Sequence, residues 1–277
     1  MAKVADALRE AADRLAQTSD TARLDAELLM AEALGVDRSA MLLGRMQDDA
    51  PRPYAEFVAR RLRCEPVAYI LGRQEFYGRE FLVSPEVLIP RGDSETVVGV
   101  ALTCDFSRVL DCGTGSGALL LSVLAERPAT RGVGIDASLG ALALAAANAA
   151  RLGLADRTRM LSRNWRDDGW MDGLGLFDLI LANPPYVERG AALAPSVQRF
   201  EPAQALFSGD EGLDDYRILI PQLGKLLAPG GNAIIEIGSS QSETVSQIAK
   251  NAGFSVTLHR DLAQRPRALQ LVETLRN

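Results

Sequence analysis

The chain has 277 residues, 47% hydrophobic and 24% charged, with a formal net charge of −6 at pH 7 and a pI near 5.0. That is room for one large domain and a small one, with no overall attraction for nucleic acid. Its three cysteines, Cys64, Cys104 and Cys112, form no CxxC pair and His259 is the sole histidine, which argues against a disulfide framework, a metal site and histidine-dependent nucleophilic chemistry.

The stretch MAKVADALREAADRL carries Arg and Asp through a helical pattern where a signal peptide would be apolar. No apolar run approaches the roughly 18 residues of a membrane span, so the expectation is a cytoplasmic protein with no membrane partner. Residues 1–66 contain only helical signals. Val4, Leu8, Ala11, Ala12 and Leu15 share one face, Leu24, Leu28, Ala31 and Leu34 another, and Asp20 stands between them as the expected N-cap. A short third helix is expected from Ser39 to Leu43 ahead of Gly44, and a fourth from Pro53, carrying Tyr54, Phe57, Val58 and Leu62. The basic run ARRLRC at 59–64 lies on that helix and reads as a solvated face, not a nucleic-acid contact.

Over 67–86 the period changes to two, in AYILG and then QEFYGREFLV, where Gly78 can turn a hairpin. We read this as a β-hairpin linker. From 87 to 277 short apolar strands alternate with helices, beginning SRVLDC, SGALLLSVLAE, RGVGID and SLGALALAAANAARLG and ending FSVTLHRD and ALQLVET. Such alternation predicts an α/β fold, a Rossmann-like, mostly parallel, doubly wound sheet with helices on both faces. In FSVTLHRD, His259 falls on the surface of a strand.

The first strand of that sheet runs into DCGTGSGALLL. Gly113, Gly115 and Gly117, with Thr114 and Ser116 between them, turn the chain tightly and present amides at a helix beginning near Ser116. About 20 residues on, Asp136 closes the second strand, where a carboxylate can hold two ribose hydroxyls. The unit reads as a nucleotide-like cofactor site. The loop lacks the lysine and the length of a phosphate-cradling GxxxxGK[ST], which disfavours ATP or GTP hydrolysis. Gly113, Gly115 and Ala118 also satisfy the dinucleotide fingerprint, so S-adenosylmethionine and NAD both stand at this point.

The fourth strand, FDLILA, ends at Asn183 and is followed by Pro184, Pro185 and Tyr186. Asn-Pro-Pro can be a bare strand stop, since proline cannot continue a central strand. In an open α/β sheet, however, ligands sit beyond the carboxyl ends of the strands at the switch point, which brings this tetrapeptide beside Gly113–Gly117 and Asp136. A planar amide or exocyclic amine is a poor nucleophile, so positioning must do most of the work. The Asn183 side-chain oxygen and the Pro184 carbonyl can each accept one N–H and aim the lone pair, Tyr186 can stack on the flat group, and Pro185 stiffens the loop. This chemistry needs no histidine, cysteine or metal.

With these features in order, the chain resembles the class I S-adenosylmethionine-dependent methyltransferases, and more narrowly the release-factor glutamine methyltransferases (the PrmC/HemK family). The likeness spans EPVAYILGRQEFYGREFLVSPEVLIPR at 65–91, VLDCGTGSGAL at 109–119, GIDAS at 134–138, NPPYV at 183–187, FEPAQALFSGDEGLDDYRIL at 200–219 and LAPGGNAIIEIG at 227–238. NPPY alone is shared with adenine-N6 and other amide methyltransferases; the YILG, EFYG and IPR segment is far more specific. The resemblance implies that Gly113, Thr114, Gly115, Ser116, Gly117 and Asp136 hold S-adenosylmethionine with Trp165 near its adenine and Asn183 beside it. It further implies that Asn183, Pro184, Pro185 and Tyr186 bind the substrate glutamine, and that the N-terminal bundle helps recognise a class 1 peptide chain release factor whose Gly-Gly-Gln loop carries it. A bundle that only packs on the catalytic domain is the alternative there.

Three places depart from the family pattern. Gly92, Asp93 and Ser94 replace the usual proline-x-threonine, leaving the stiffness of that loop and a hydroxyl role at Ser94 open. Asn164 stands before Trp165 where an acid is common, and Ala263 to Arg267 reads AQRPR where a glycine is frequent. The expected activity is N5-methylation of the Gly-Gly-Gln glutamine. Competing readings are a glutamine methyltransferase of a ribosomal protein, an adenine-N6 nucleic-acid methyltransferase, an NAD-dependent oxidoreductase and a non-catalytic cofactor-binding module. The acidic pI and the missing basic groove count against nucleic acid.

Overall fold

Apolar residues three and four apart turn the N-terminal stretch into helices that close on a core of their own. The computed structural model describes residues 2–274; Met1 and 275–277, the ends of the expected first and last domains, lie outside the described residues. The chain divides into two compact units, residues 2–73 with 193–200, and residues 74–192 with 201–274.

The first unit contains α1 (Val4–Leu15), α2 (Ala22–Leu34), α3 (Arg38–Gly44), α4 (Pro53–Leu62) and α5 (Val67–Leu71). Val4, Leu8, Leu15, Leu29, Met30, Met41, Tyr54, Val58 and Ile70 form its core. Asp20 does not cap α2. Thr21 holds the N-cap position without a side-chain cap, because the Ser19 and Thr21 hydroxyls both donate to Asp25, at 2.7 and 2.9 Å. Asp25 is also paired with Arg61 at 2.7 Å, a buried ion pair tying α2 to α4. The stretch AYILG is one turn of helix, not a strand. Pro66 sets its start with φ −58 and Gly72 ends it in the left-handed region, so the short apolar run buries Tyr69 and Ile70 from a helical turn.

A hairpin follows, β1 (Arg73–Phe76) and β2 (Arg79–Leu82). Tyr77 and Gly78 both take positive φ, 49 and 68, the paired left-handed turn that suits the twist of a two-residue hairpin. Phe76 and Phe81 meet edge to face at 6.2 Å.

The second unit continues with α6 (Glu95–Ala101), β3 (Arg108–Cys112), α7 (Ala118–Glu126), β4 (Arg131–Asp136), α8 (Leu139–Arg151), β5 (Thr158–Ser162) and β6 (Phe177–Ala182). After α9 (Pro195–Phe200), a helix of the first unit, come α10 (Asp214–Leu223), β7 (Leu227–Glu236), α11 (Ser242–Asn251), β8 (Phe254–Arg260) and β9 (Pro266–Glu273). The sheet order is β5-β4-β3-β6-β7-β9-β8. The first five pair in parallel and β9 runs antiparallel to both β7 and β8. This is the expected doubly wound α/β sheet, with a reversed strand inserted near one edge.

Period-two alternation splits each central strand between two cores. Leu110, Cys112, Ile180 and Ala182 face α10 and α11, packing with Tyr216, Leu219, Leu223 and Val245. Val109, Leu179 and Leu181 face α6 and α7, packing with Val97, Leu120 and Leu124. The chain leaves β3 toward β4 on one side and reaches β6 on the other, so a crevice opens past the carboxyl ends of β3 and β6.

Candidate active site

That crevice is a cavity of about 360 Å³ within the second unit, lined among others by Gly113, Thr114, Gly115, Ser116, Asp136, Trp165, Asn183 and Pro185. The volume is in the range of small-molecule sites. Eight of the sequence-predicted residues therefore share one wall system. Gly117, Pro184 and Tyr186 are outside the lining. Gly117 instead caps α7 at φ 82, where an added Cβ would come 2.9 Å from Leu121 Cδ1.

The loop from Gly113 to Gly117 is held by the protein itself. The Gly113 and Thr114 amides both donate to the Ile135 carbonyl at 2.9 Å, and Gly117 donates to the Thr114 carbonyl at 2.8 Å. Gly115 N–H donates to Asp136 Oδ2 at 2.9 Å, and Ser138 N–H to Asp136 Oδ1 at 2.9 Å. The expected row of outward-facing amides is therefore largely engaged inward. The ordered loop offers close approach and the Asp136 carboxylate more than an anion cradle, which suits a nucleoside with free ribose hydroxyls better than a pyrophosphate.

Beneath the loop, Thr114 Oγ1 donates to Asp111 Oδ2 at 2.7 Å. Asp111 Oδ1 is buried with no partner. Burial, opposed by Thr114 and reinforced by the nearby Asp136 charge, pushes the Asp111 carboxyl up to about 7.

Trp165 lines the cavity against this loop. A Cβ placed on Gly113 would lie 3.2 Å from its Cη2 and 3.3 Å from its Cζ3, so only glycine lets the indole sit this close to the loop. Its Nε1–H donates to Asp215 Oδ1 at 2.9 Å, and its carbonyl accepts from Gln222 Nε2 at 3.1 Å. Asn164, where the pattern favours an acid, turns its Oδ1 back onto the Arg166 amide at 3.0 Å and shapes the loop.

The segment after β6 is fixed by its backbone. Val187 N–H donates to the Leu206 carbonyl at 2.8 Å and Ser208 N–H to the Val187 carbonyl at 2.9 Å. Gln241 Nε2 donates to the Tyr186 carbonyl at 3.1 Å, and a Cβ on Gly212 would meet that oxygen at 2.3 Å. The Tyr186 phenol is pushed up to about 12, chiefly by burial and then by the Glu236 charge. Glu236 itself is fully buried and raised to about 7 by burial, with the Ser94 and Tyr186 hydroxyls and Arg267 opposing the shift. Ser94 is thus buried and faces Glu236, while Gly92 opens a 3-10 turn with no strained φ. In the AQRPR loop Gln264 takes φ 62, the conformation for which a glycine is favoured.

Residue-by-residue reading of the sequence missed Asp215, Ser208, Gln222, Gln241 and Glu236. Ser208, Asp215 and Glu236 lie in FEPAQALFSGDEGLDDYRIL and LAPGGNAIIEIG, which stand out in the chain, and Gln222 and Gln241 fall just beyond them; which side chains reach the site depends on tertiary packing. Among the described residues no group of His, Cys, Asp and Glu side chains is arranged to hold a metal ion, and no helix is long and apolar enough to cross a membrane.

Residues 6–72 match the PrmC N-terminal domain and residues 96–209 the methyltransferase small domain. A release factor glutamine methyltransferase of Cereibacter sphaeroides is 40% identical over 272 residues, covering 96% of this chain and 96% of its own. One from Bradyrhizobium diazoefficiens is 40% identical over 265 residues, covering 90% and 88%. Among solved structures, a methyltransferase from Pyrococcus furiosus shares the fold, with a TM-score of 0.54 over 78% of this chain and 98% of its own at 17% identity.

Proposed function

The chain belongs to the release factor glutamine methyltransferases, and from that premise we propose that it methylates N5 of the glutamine in the Gly-Gly-Gln loop of class 1 peptide chain release factors, with S-adenosylmethionine as methyl donor. It is a methyltransferase with a Rossmann-like class I sheet. The observation that carries the finer reading is the convergence of Asn183 and Pro185 with Gly113–Ser116, Asp136 and Trp165 around one cavity.

S-adenosylmethionine, when bound, supplies an electrophilic methyl on a sulfonium. In the proposal Gly113, Thr114, Gly115, Ser116 and Gly117 form the loop against which it lies, Asp136 accepts its ribose hydroxyls, and Trp165 flanks its adenine. The inward engagement of the loop amides supports this donor over NAD, whose pyrophosphate needs free amides at a helix start. The Asn183 side-chain oxygen and the Pro184 carbonyl accept the two N–H groups of the glutamine amide. That fixes the nitrogen's orientation and meets the positive charge as the N–C bond forms and the C–S bond breaks. A proton then leaves the nitrogen to solvent. Pro185 keeps the loop rigid. Tyr186, its hydroxyl anchored beside Glu236, is in this proposal the ring that stacks on the flat amide. The N-terminal bundle contributes to recognition of the release factor, and the reaction is cytoplasmic.

The test is transfer of a labelled methyl from S-adenosylmethionine to a purified class 1 release factor, beside a variant whose Gly-Gly-Gln glutamine is alanine. Label is expected on the intact factor only, and is lost with Asn183→Ala. Label on neither factor sinks the substrate assignment and directs the assay to ribosomal protein and nucleic acid.

A further inference from the structure

Asp215 is a carboxylate only 3% exposed, at the start of α10, and three polar groups converge on it. Trp165 Nε1–H and Arg166 Nη2–H each donate to its Oδ1 at 2.9 Å. Ser208 Oγ–H donates to Oδ2 at 2.7 Å, and the Asp215 amide returns a bond to Ser208 Oγ at 2.8 Å. The two groups on Oδ1 are neighbours in the chain and both line the cavity, as does Asp215 itself. Seven residues on, along the same face of α10, Gln222 accepts from Trp170 Nε1–H at 2.7 Å and donates to the Trp165 carbonyl at 3.1 Å. One helix face thus holds the cavity's indole wall by its ring nitrogen and by its backbone.

The Ser208 pair would by itself be a reciprocal cap for α10. A cap requires no indole. A neutral Nε1–H on a buried carboxylate makes a charge-assisted bond, shorter and stronger than one to a carbonyl, and it fixes the rotation of the ring about its long axis. That rotation decides whether the indole presents its face or its edge to the cavity.

We propose that Asp215 is a positioning residue for cofactor binding, acting through the Trp165 indole to hold the wall against which the flat base of the methyl donor rests. This rests on the cofactor reading above. A carboxylate serves three donors at once; in Asp215→Asn the amide oxygen can still face Trp165 and Arg166, but it carries no charge and the amide NH2 replaces the oxygen that accepts from Ser208, so the ring is held by a weaker, neutral bond on a less firmly anchored side chain.

The experiment is calorimetric titration of S-adenosylhomocysteine into wild type, Asp215→Asn, Trp165→Phe and the double variant, with thermal melts of all four. Each single change is expected to weaken binding about 10-fold. The double variant is expected to be no more than about 20-fold weaker, against about 100-fold for independent effects. Additive losses, or full-strength binding by Asp215→Asn, overturn the inference and reduce the residue to a helix cap. If Asp215→Asn does not fold, Ser208→Ala keeps the carboxylate charge and enters the same cycle. There a loss of about 3-fold that vanishes in the Trp165→Phe background supports the inference, and one that persists overturns it. Wild type that does not bind the ligand at all defeats the cofactor reading and this inference together.

Discussion

Replacing Gly113 by alanine makes two demands on the structure that can be measured apart. Gly113 has φ +76, a conformation that costs an L-residue roughly 1–2 kcal/mol. The new methyl would also lie 3.2 and 3.3 Å from Cη2 and Cζ3 of Trp165, inside the roughly 3.5–4.0 Å of a comfortable carbon contact. The ring cannot simply tilt, because its Nε1–H is bound to Asp215 at 2.9 Å. Crowding of this kind costs about 1–3 kcal/mol, giving a total near 2–5 kcal/mol for Gly113→Ala. Trp165→Phe removes the two crowded atoms, so in that background the same substitution should cost only the backbone part, about 1–2 kcal/mol. Urea unfolding followed by far-UV circular dichroism on wild type, both singles and the double gives the difference directly. Equal costs in the two backgrounds would refute the placement of the indole over the glycine loop.

Asp111 and Glu236 are each pushed up to about 7, chiefly by burial. A carboxyl raised in the folded protein stays protonated where the unfolded chain ionises, so its contribution is full below its ordinary pKa near 4 and is lost as pH rises toward 7. The stability of Asp111→Asn relative to wild type should therefore climb across that window, and parallel urea midpoints at every pH would contradict it. In the bundle, Asp25→Ala strands the Arg61 guanidinium, whose partner lies at 2.7 Å, and should cost about 3–5 kcal/mol; a thermal melt that barely moves would show the pair contributes little. Gln264→Gly relieves a left-handed φ of 62 and should raise stability by up to about 1 kcal/mol; a drop in the unfolding midpoint would mean the Gln264 side chain holds that loop.

Long-period patterns were the most legible part of the fold. The alternation of strands and helices from 87 onward gave the doubly wound sheet, and the short helices expected from Ser39 and Pro53 stand at Arg38–Gly44 and Pro53–Leu62. Short-range readings were weaker. AYILG is too brief to separate period two from one helical turn, and Pro66 before it with Gly72 after it were the better signals. Asp20 is a good cap by residue type, yet the hydroxyls flanking it converge on Asp25 because Arg61 brings that carboxylate inside. Nothing in ALQLVET announces that β9 slots between β7 and β8 in reverse, since pairing direction is a property of the whole sheet. The grouping of Gly113, Asp136 and Asn183 follows from strand ends and topology. Asp215 and Gln222 escape such a reading because they reach Trp165 across some fifty residues of chain.

The glycine loop engages its amides within the protein, on Ile135, Thr114 and Asp136. A surface ordered in advance charges an incoming molecule little conformational entropy, so affinity is drawn from contact alone and little is locked in by folding around the guest. For an enzyme that must discard a spent donor and take up a fresh one at every cycle, a fixed socket makes the two steps kinetically alike. Exchange is then set by diffusion through the mouth of the cavity and by the few contacts that differ between donor and product, not by the time a loop needs to melt and re-form.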